Sequence, residues 1–196
     1  MTYLHEQGYG VPAVEELSSD ETGLVMQRIE GLSMVEAIER APWTVRRHAR
    51  TLAELHRSLH EIEAPSFLTS SPVGRGDRIV HMDLHPLNVL VGPKGAVVID
   101  WANARAGDPN VDVGIAWVLM SAGQIPGGRV KTALLAWGRG LLVNEFLSGF
   151  DRGEVTRLLG EIVEWKAKDT HMSAGEIVRM WQLVRNVQGH PDSGAS

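Results

Sequence analysis

Apolar positions recur along the chain in two distinct rhythms. In the stretch from Thr44 to Ile62, Val45, Ala49, Leu52, His56 and Leu59 fall on one face of a 3.6-residue period, so the pattern predicts an amphipathic helix with that face turned inward. Before it, "SMVEAIER" opens on Ser33 with Glu36 three residues later, a capping box for a short helix that Pro42 ends. Further upstream "GLVMQ", residues 23–27, reads as a short strand running through "RIEG" into a connector. The period changes after the loop "APSFLTSSPVGRGD". Ile79 and Val80 form an extended piece, Val89 to Val91 another, "GPKG" turns, and Ala96 to Ile99 returns, which is a hairpin pattern with Asp100 at its end. From Asp112 to Met120 the run is apolar on every side and predicts a buried helix. Beyond Arg129 the pattern is helical throughout. Asp151 with Glu154 and Ser173 with Glu176 mark two further capping boxes, Gly127 and Gly128 a break, and "GHPDSGAS" a disordered tail.

Composition narrows the class. A chain of 196 residues with 43% hydrophobic positions can bury roughly 70% of its unfolded surface, enough for one main body. The net charge of −5 is spread without a basic stripe, which argues against a nucleic-acid partner held through phosphates. No apolar run approaches the ~20 residues of a membrane span, and "MTYLHEQGYG" has no export pattern, so a cytoplasmic location without a membrane partner is expected. With no cysteine, disulfides, thiolate zinc sites and cysteine nucleophiles are excluded.

The polar positions worth most thought lie in "VHMDLHPLNVLV", residues 80–91, and in "IDW", residues 99–101. Asp83 is followed five residues later by Asn88, and Asp100 ends the next strand. A carboxylate facing a substrate hydroxyl, with an amide oxygen and a second carboxylate as hard ligands beside it, is the donor set that phosphoryl transfer requires. Asp and Asn also cap turns, so one such residue alone carries little information.

Together, these residues resemble the catalytic and metal-binding loops of the aminoglycoside phosphotransferase and choline kinase family. The resemblance runs from about Tyr3 to Trp117. It implies an α+β, protein-kinase-like fold with a mostly helical C-terminal lobe. Residues 1–31 would be a remnant of the nucleotide-binding lobe and hinge, residues 32–188 the helical lobe with both loops, and 189–196 the tail. It further implies O-phosphorylation of a small-molecule hydroxyl by ATP or GTP, with Asp83 taking the hydroxyl proton and Asn88 and Asp100 ligating Mg²⁺. The connector would face the nucleotide through Gln27, Arg28 and Ile29, with Met26 behind it. His85 stands where protein kinases place a lysine near the transferred phosphate, and phosphate contact and a packing role both remain open for it. His81 reads as a brace of the loop, and His56 as a core histidine. Asp112 resembles the aspartate that holds the loop from below, though helix capping accounts for it equally.

Met82 stands where the family usually has a small residue. Glu145, Asp151 and Glu154 would favour a cationic acceptor, and exposed charge at helix ends accounts for them more simply. The chain contains no GxGxxG, and its lysines are Lys94, Lys131, Lys166 and Lys168, all downstream of the catalytic loop. A phosphotransferase lacking most of its N-terminal lobe, and a catalytically impaired binding module, are the two expectations that follow.

Overall fold

The computed structural model describes residues 1–17, 23–123 and 129–189, with residues 129–137 described by their backbone. Its elements are α1 (Thr2–Glu6), β1 (Val14–Leu17), β2 (Leu24–Met26), β3 (Leu32–Ser33), α2 (Met34–Arg40), α3 (Val45–His60), β4 (Arg78–Val80), β5 (Val89–Gly92), β6 (Gly95–Val98), β7 (Arg105–Gly107), α4 (Pro109–Ala122), α5 (Arg129–Leu147), α6 (Arg152–Lys166) and α7 (Ala174–Gln188). Among the described residues no helix is long and apolar enough to cross a membrane.

Helix α4 is the centre of the helical lobe. Val111 through Val118 are buried without interruption, as its all-round apolar sequence requires, and α3, α5, α6 and α7 pack around it. Gly114 sits where any Cβ would collide with Ile162, so its missing side chain sets how closely α4 and α6 approach. On α3, Val45, Ala49, Leu52, His56 and Leu59 are all buried, and the helix begins at Val45 after a 3-10 turn over Pro42–Thr44. The expected capping boxes at Ser33 and Ser173 are complete. At Asp151 only half of the box forms. Its carboxylate caps Gly153 and Glu154, while the Glu154 side chain pairs with Arg157 instead of returning to the Asp151 amide.

Among the described residues the strands form three small antiparallel sheets. β3, β5 and β6 make one sheet, with Leu32 opposite Val91 and Val89 opposite Val98. β5 and β6 close through a two-residue loop, Pro93–Lys94, with Gly95 at φ 118°. β4 pairs with β7, a strand the sequence pattern did not announce, and β1 pairs with β2. The connector lies against β5: a Cβ on Gly31 would fall 2.7 Å from the Val91 carbonyl oxygen, which is why this position takes glycine. The break expected at Gly127 and Gly128 and residues 190–196 of the expected tail lie outside the described residues.

Candidate active site

Asp112, on the first turn of α4, anchors the loop that begins at His81. Its carboxylate accepts from the main-chain N–H of His81 at 2.9 Å and of Met82 at 2.8 Å, and from His60 Nε2 at 3.2 Å. The carboxylate is wholly buried, which alone would push its pKa up, yet the donors and the surrounding His60, His56 and His81 hold it far below the usual range. Asp108, not Asp112, caps α4, accepting from the Asn110 N–H at 2.8 Å. Asp112 is therefore free of the helix end and committed to the loop. Met82 takes φ 66°, the left-handed region, and its side chain is buried. A loop held there against backbone preference needs the two amide bonds to Asp112.

The second loop is tied to the first. His81 Nε2 donates to the Ile99 carbonyl at 3.0 Å, and the Ile99 N–H donates to the Asn88 carbonyl at 3.0 Å. His81 thus braces the loop as expected, its ring against Trp101 at 4.5 Å between centroids and its Nδ1 buried without a partner. These bonds place Asp100 directly after the residue that joins both loops. Asp100 adopts φ 62°, ψ 67°, is exposed, and makes no hydrogen bond or ion pair among the described residues.

Asn88 Nδ2 donates to the Asp83 main-chain oxygen at 2.9 Å and to Asp83 Oδ2 at 3.2 Å. Among the described residues its Oδ1 accepts no hydrogen bond, and the Ile99 N–H bond to the Asn88 carbonyl brings the residue before Asp100 against Asn88; amide and carboxylate oxygens are the donor types that suit a hard divalent cation. No group of three or more His, Asp or Glu side chains among the described residues could hold a metal, so phosphate oxygens would have to complete such a shell. His85 packs between the two roles left open for it. Its Nδ1 accepts from the Leu87 N–H at 3.4 Å, which turns Nε2 toward Asp83 Oδ2 at 3.8 Å.

A residue that the motif reading did not single out completes the group. Lys166 Nζ lies 3.3 Å from Asp83 Oδ1 and 3.1 Å from Asp169 Oδ2, with its side chain 8% exposed. Burial raises the Asp83 pKa, but His85 and Lys166 beside it outweigh that and hold the carboxyl below its ordinary value. The signal was present in the sequence: Val155, Leu159, Ile162 and Val163 mark the buried stripe of α6, and Lys166 continues it. A lysine on an apolar stripe is buried with a partner or not at all. Beside it opens a cavity of about 480 Å³ lined by Asn103, Trp165, Lys166, Lys168, Asp169 and His171. A cavity of about 630 Å³ lies along Ser70–Pro72, Gly74–Gly76 and Glu161 and contains none of the motif residues.

The connector is less engaged. Met26, Gln27 and Arg28 are exposed and Ile29 half-buried; Met26, expected behind a cleft, is 43% exposed among the described residues. The Gln27 N–H bonds to the Ala13 carbonyl, while the main-chain groups of Arg28 and Ile29 make no hydrogen bond among the described residues. None of the four bonds to Asp83, Asn88 or Asp100. Glu145 pairs with Arg46 and Arg50, Asp151 caps α6, and Glu154 pairs with Arg157, so none of these acids faces the site.

Overlaid on solved structures, the chain aligns over 95% of its length with the amicoumacin kinase hAmiN, solved in complex with AMP-PNP, Ca²⁺ and Ami, at a TM-score of 0.54 and 15% identity, covering 74% of that chain. The fold is kinase-like. Residues 68–152 match the phosphotransferase enzyme family, APH, and this stretch holds Asp83, Asn88, Asp100 and Asp112. A choline/ethanolamine kinase family protein from Mesorhizobium loti aligns over 98% of this chain and 71% of its own at 16% identity, with a TM-score of 0.47. No curated protein shows significant similarity in sequence.

Proposed function

We propose that the chain carries the catalytic lobe of an ATP- or GTP-dependent O-phosphotransferase acting on a small-molecule hydroxyl. The observation that supports this reading is that Asn88 Nδ2 donates to Asp83 while the Ile99 N–H, one residue before Asp100, donates to the Asn88 carbonyl. The family match over this stretch and the nucleotide and divalent cation of the amicoumacin kinase complex support it. Residues 1–31 are the hinge side of the nucleotide lobe and residues 32–188 the helical lobe.

In this reading the acceptor hydroxyl donates to Asp83, which is ionised and held in place by Asn88 and Lys166. As the new oxygen–phosphorus bond forms and the bond to the nucleoside diphosphate breaks, the hydroxyl proton passes to Asp83. Asn88 Oδ1 and Asp100 would hold Mg²⁺, whose charge offsets that of the nucleotide phosphates. The free main-chain groups of Arg28 and Ile29 are the connector's contribution to nucleotide binding. A nucleotide-binding module of impaired turnover is the second reading, favoured by the Lys166 ammonium that already occupies Asp83 Oδ1.

Acceptor-dependent release of ADP or GDP, measured across neutral, anionic and cationic hydroxyl compounds, tests the proposal. Asp83→Asn should lower the release by about 10³-fold or more while leaving nucleotide affinity nearly unchanged. Turnover that survives Asp83→Asn would exclude the assigned mechanism.

A further inference from the structure

The pocket beside Asp83 contains a cation of its own. Lys166 is nearly buried, and its ammonium is shared between Asp83 Oδ1 at 3.3 Å and Asp169 Oδ2 at 3.1 Å. Two carboxylates converging on one point at a pocket wall form a subsite for a protonated amine, since each accepts a charge-assisted hydrogen bond. Here that subsite is filled from within. The remaining oxygen of Asp169 accepts from His171 Nδ1 and from the His171 main-chain N–H, each at 3.0 Å, and this amide, first among several donors, holds the Asp169 carboxyl down at about 2. Lys168, also on the pocket wall, pairs with Glu164, and the remaining wall is Asn103 and the half-buried indole of Trp165. Among the described residues the one ammonium of Lys166 answers two carboxylates, so the wall keeps a single negative charge while the point on which both carboxylates converge is occupied.

We propose that Lys166 is a specificity-determining residue, the resident counter-ion of the acceptor site, so that the converging carboxylates are closed to a second ammonium and the acceptor is an uncharged hydroxyl compound rather than a polycationic amine. This rests on the reading in which Asp83 faces the acceptor hydroxyl. A ligand amine can enter only by displacing a covalently tethered ammonium that is already desolvated, and it gains no new ion pair in doing so. The Trp165 face beside Lys166 offers a flat apolar surface to a ring of the acceptor.

Calorimetric titration of the full chain with kanamycin and with spermidine, at physiological salt, tests the inference. Wild type and Lys166→Arg should show no saturable binding, because both keep the resident cation. Lys166→Gln should bind both polycations about tenfold or more tightly than wild type, and Lys166→Gln with Asp83→Asn should lose that gain. Saturable polycation binding by the wild type that Asp83→Asn removes would overturn the inference, as would a folded Lys166→Gln that gains nothing. Should Lys166→Gln fail to fold, the wild-type and Lys166→Arg titrations decide alone, binding overturning the inference and its absence in both supporting it. Failure of the phosphotransfer reading registers separately, as acceptor-dependent nucleotide release that Asp83→Asn leaves intact.

Discussion

Asp112 touches neither acceptor nor nucleotide in this account, yet the geometry of Asp83 depends on it. It is a fully buried carboxylate with three donors, so its removal leaves the His81 and Met82 amides unpaired in a dry interior and releases a left-handed Met82. Asp112→Ala should destabilise the chain by about 3–5 kcal/mol, read as a shift in the denaturation midpoint at unchanged slope. At this scale the sequence was partly legible. The spacing of Asp83, Asn88 and Asp100 announced two loops, and the hydrogen bond from the Ile99 N–H to the Asn88 carbonyl ties those loops together. Lys166 went unread because it lies 83 residues from Asp83, and only the helical register of α6 links it to a buried face. Between the capping and bracing readings of Asp112, only the position of Asp108 could decide, and two aspartates four residues apart look alike in a sequence.

Among the elements, the contact of α4 with α6 matters most, since α4 carries Asp112 and α6 ends in Lys166. The two helices approach at Gly114, where a Cβ would meet Ile162 Cδ1 and lie 3.5 Å from Val155 Cγ1. Gly114→Val should cost about 1–3 kcal/mol through overpacking, measurable by thermal melt, and should weaken the Lys166 to Asp83 contact by pushing α6 outward. The long helices were readable because periodicity accumulates over several turns. The strands β3 and β7 were not, having only two and three residues, too few for alternation to show; they exist because β5 and β4 offer unpaired edges beside them.

For the whole molecule, buried histidines set the pH response. Burial lowers His56 from 6.5 to about 4 and lowers His81 as well, so both are neutral in the folded chain. Between these values the unfolded chain binds more protons than the folded one, and stability therefore falls as pH drops from about 6.5 to about 4. His56 alone accounts for a loss on the order of 3 kcal/mol over that window. Asp112, depressed in the folded state, adds a further loss below the ordinary aspartate value. Denaturant midpoints taken from pH 7 to pH 4 should decline steadily, and His56→Gln should flatten the decline.

The central claim is that Asn88 and Asp100 present a divalent cation and nucleotide phosphates to Asp83. Isothermal titration of the chain with ATP or GTP, with and without Mg²⁺, tests it most directly. Binding should be weak, near millimolar or about −4 kcal/mol, and should require Mg²⁺. Asp100→Ala should abolish the Mg²⁺ dependence, while Asp83→Asn leaves it in place. Nucleotide binding indifferent to Mg²⁺ and unchanged by Asp100→Ala would contradict the account.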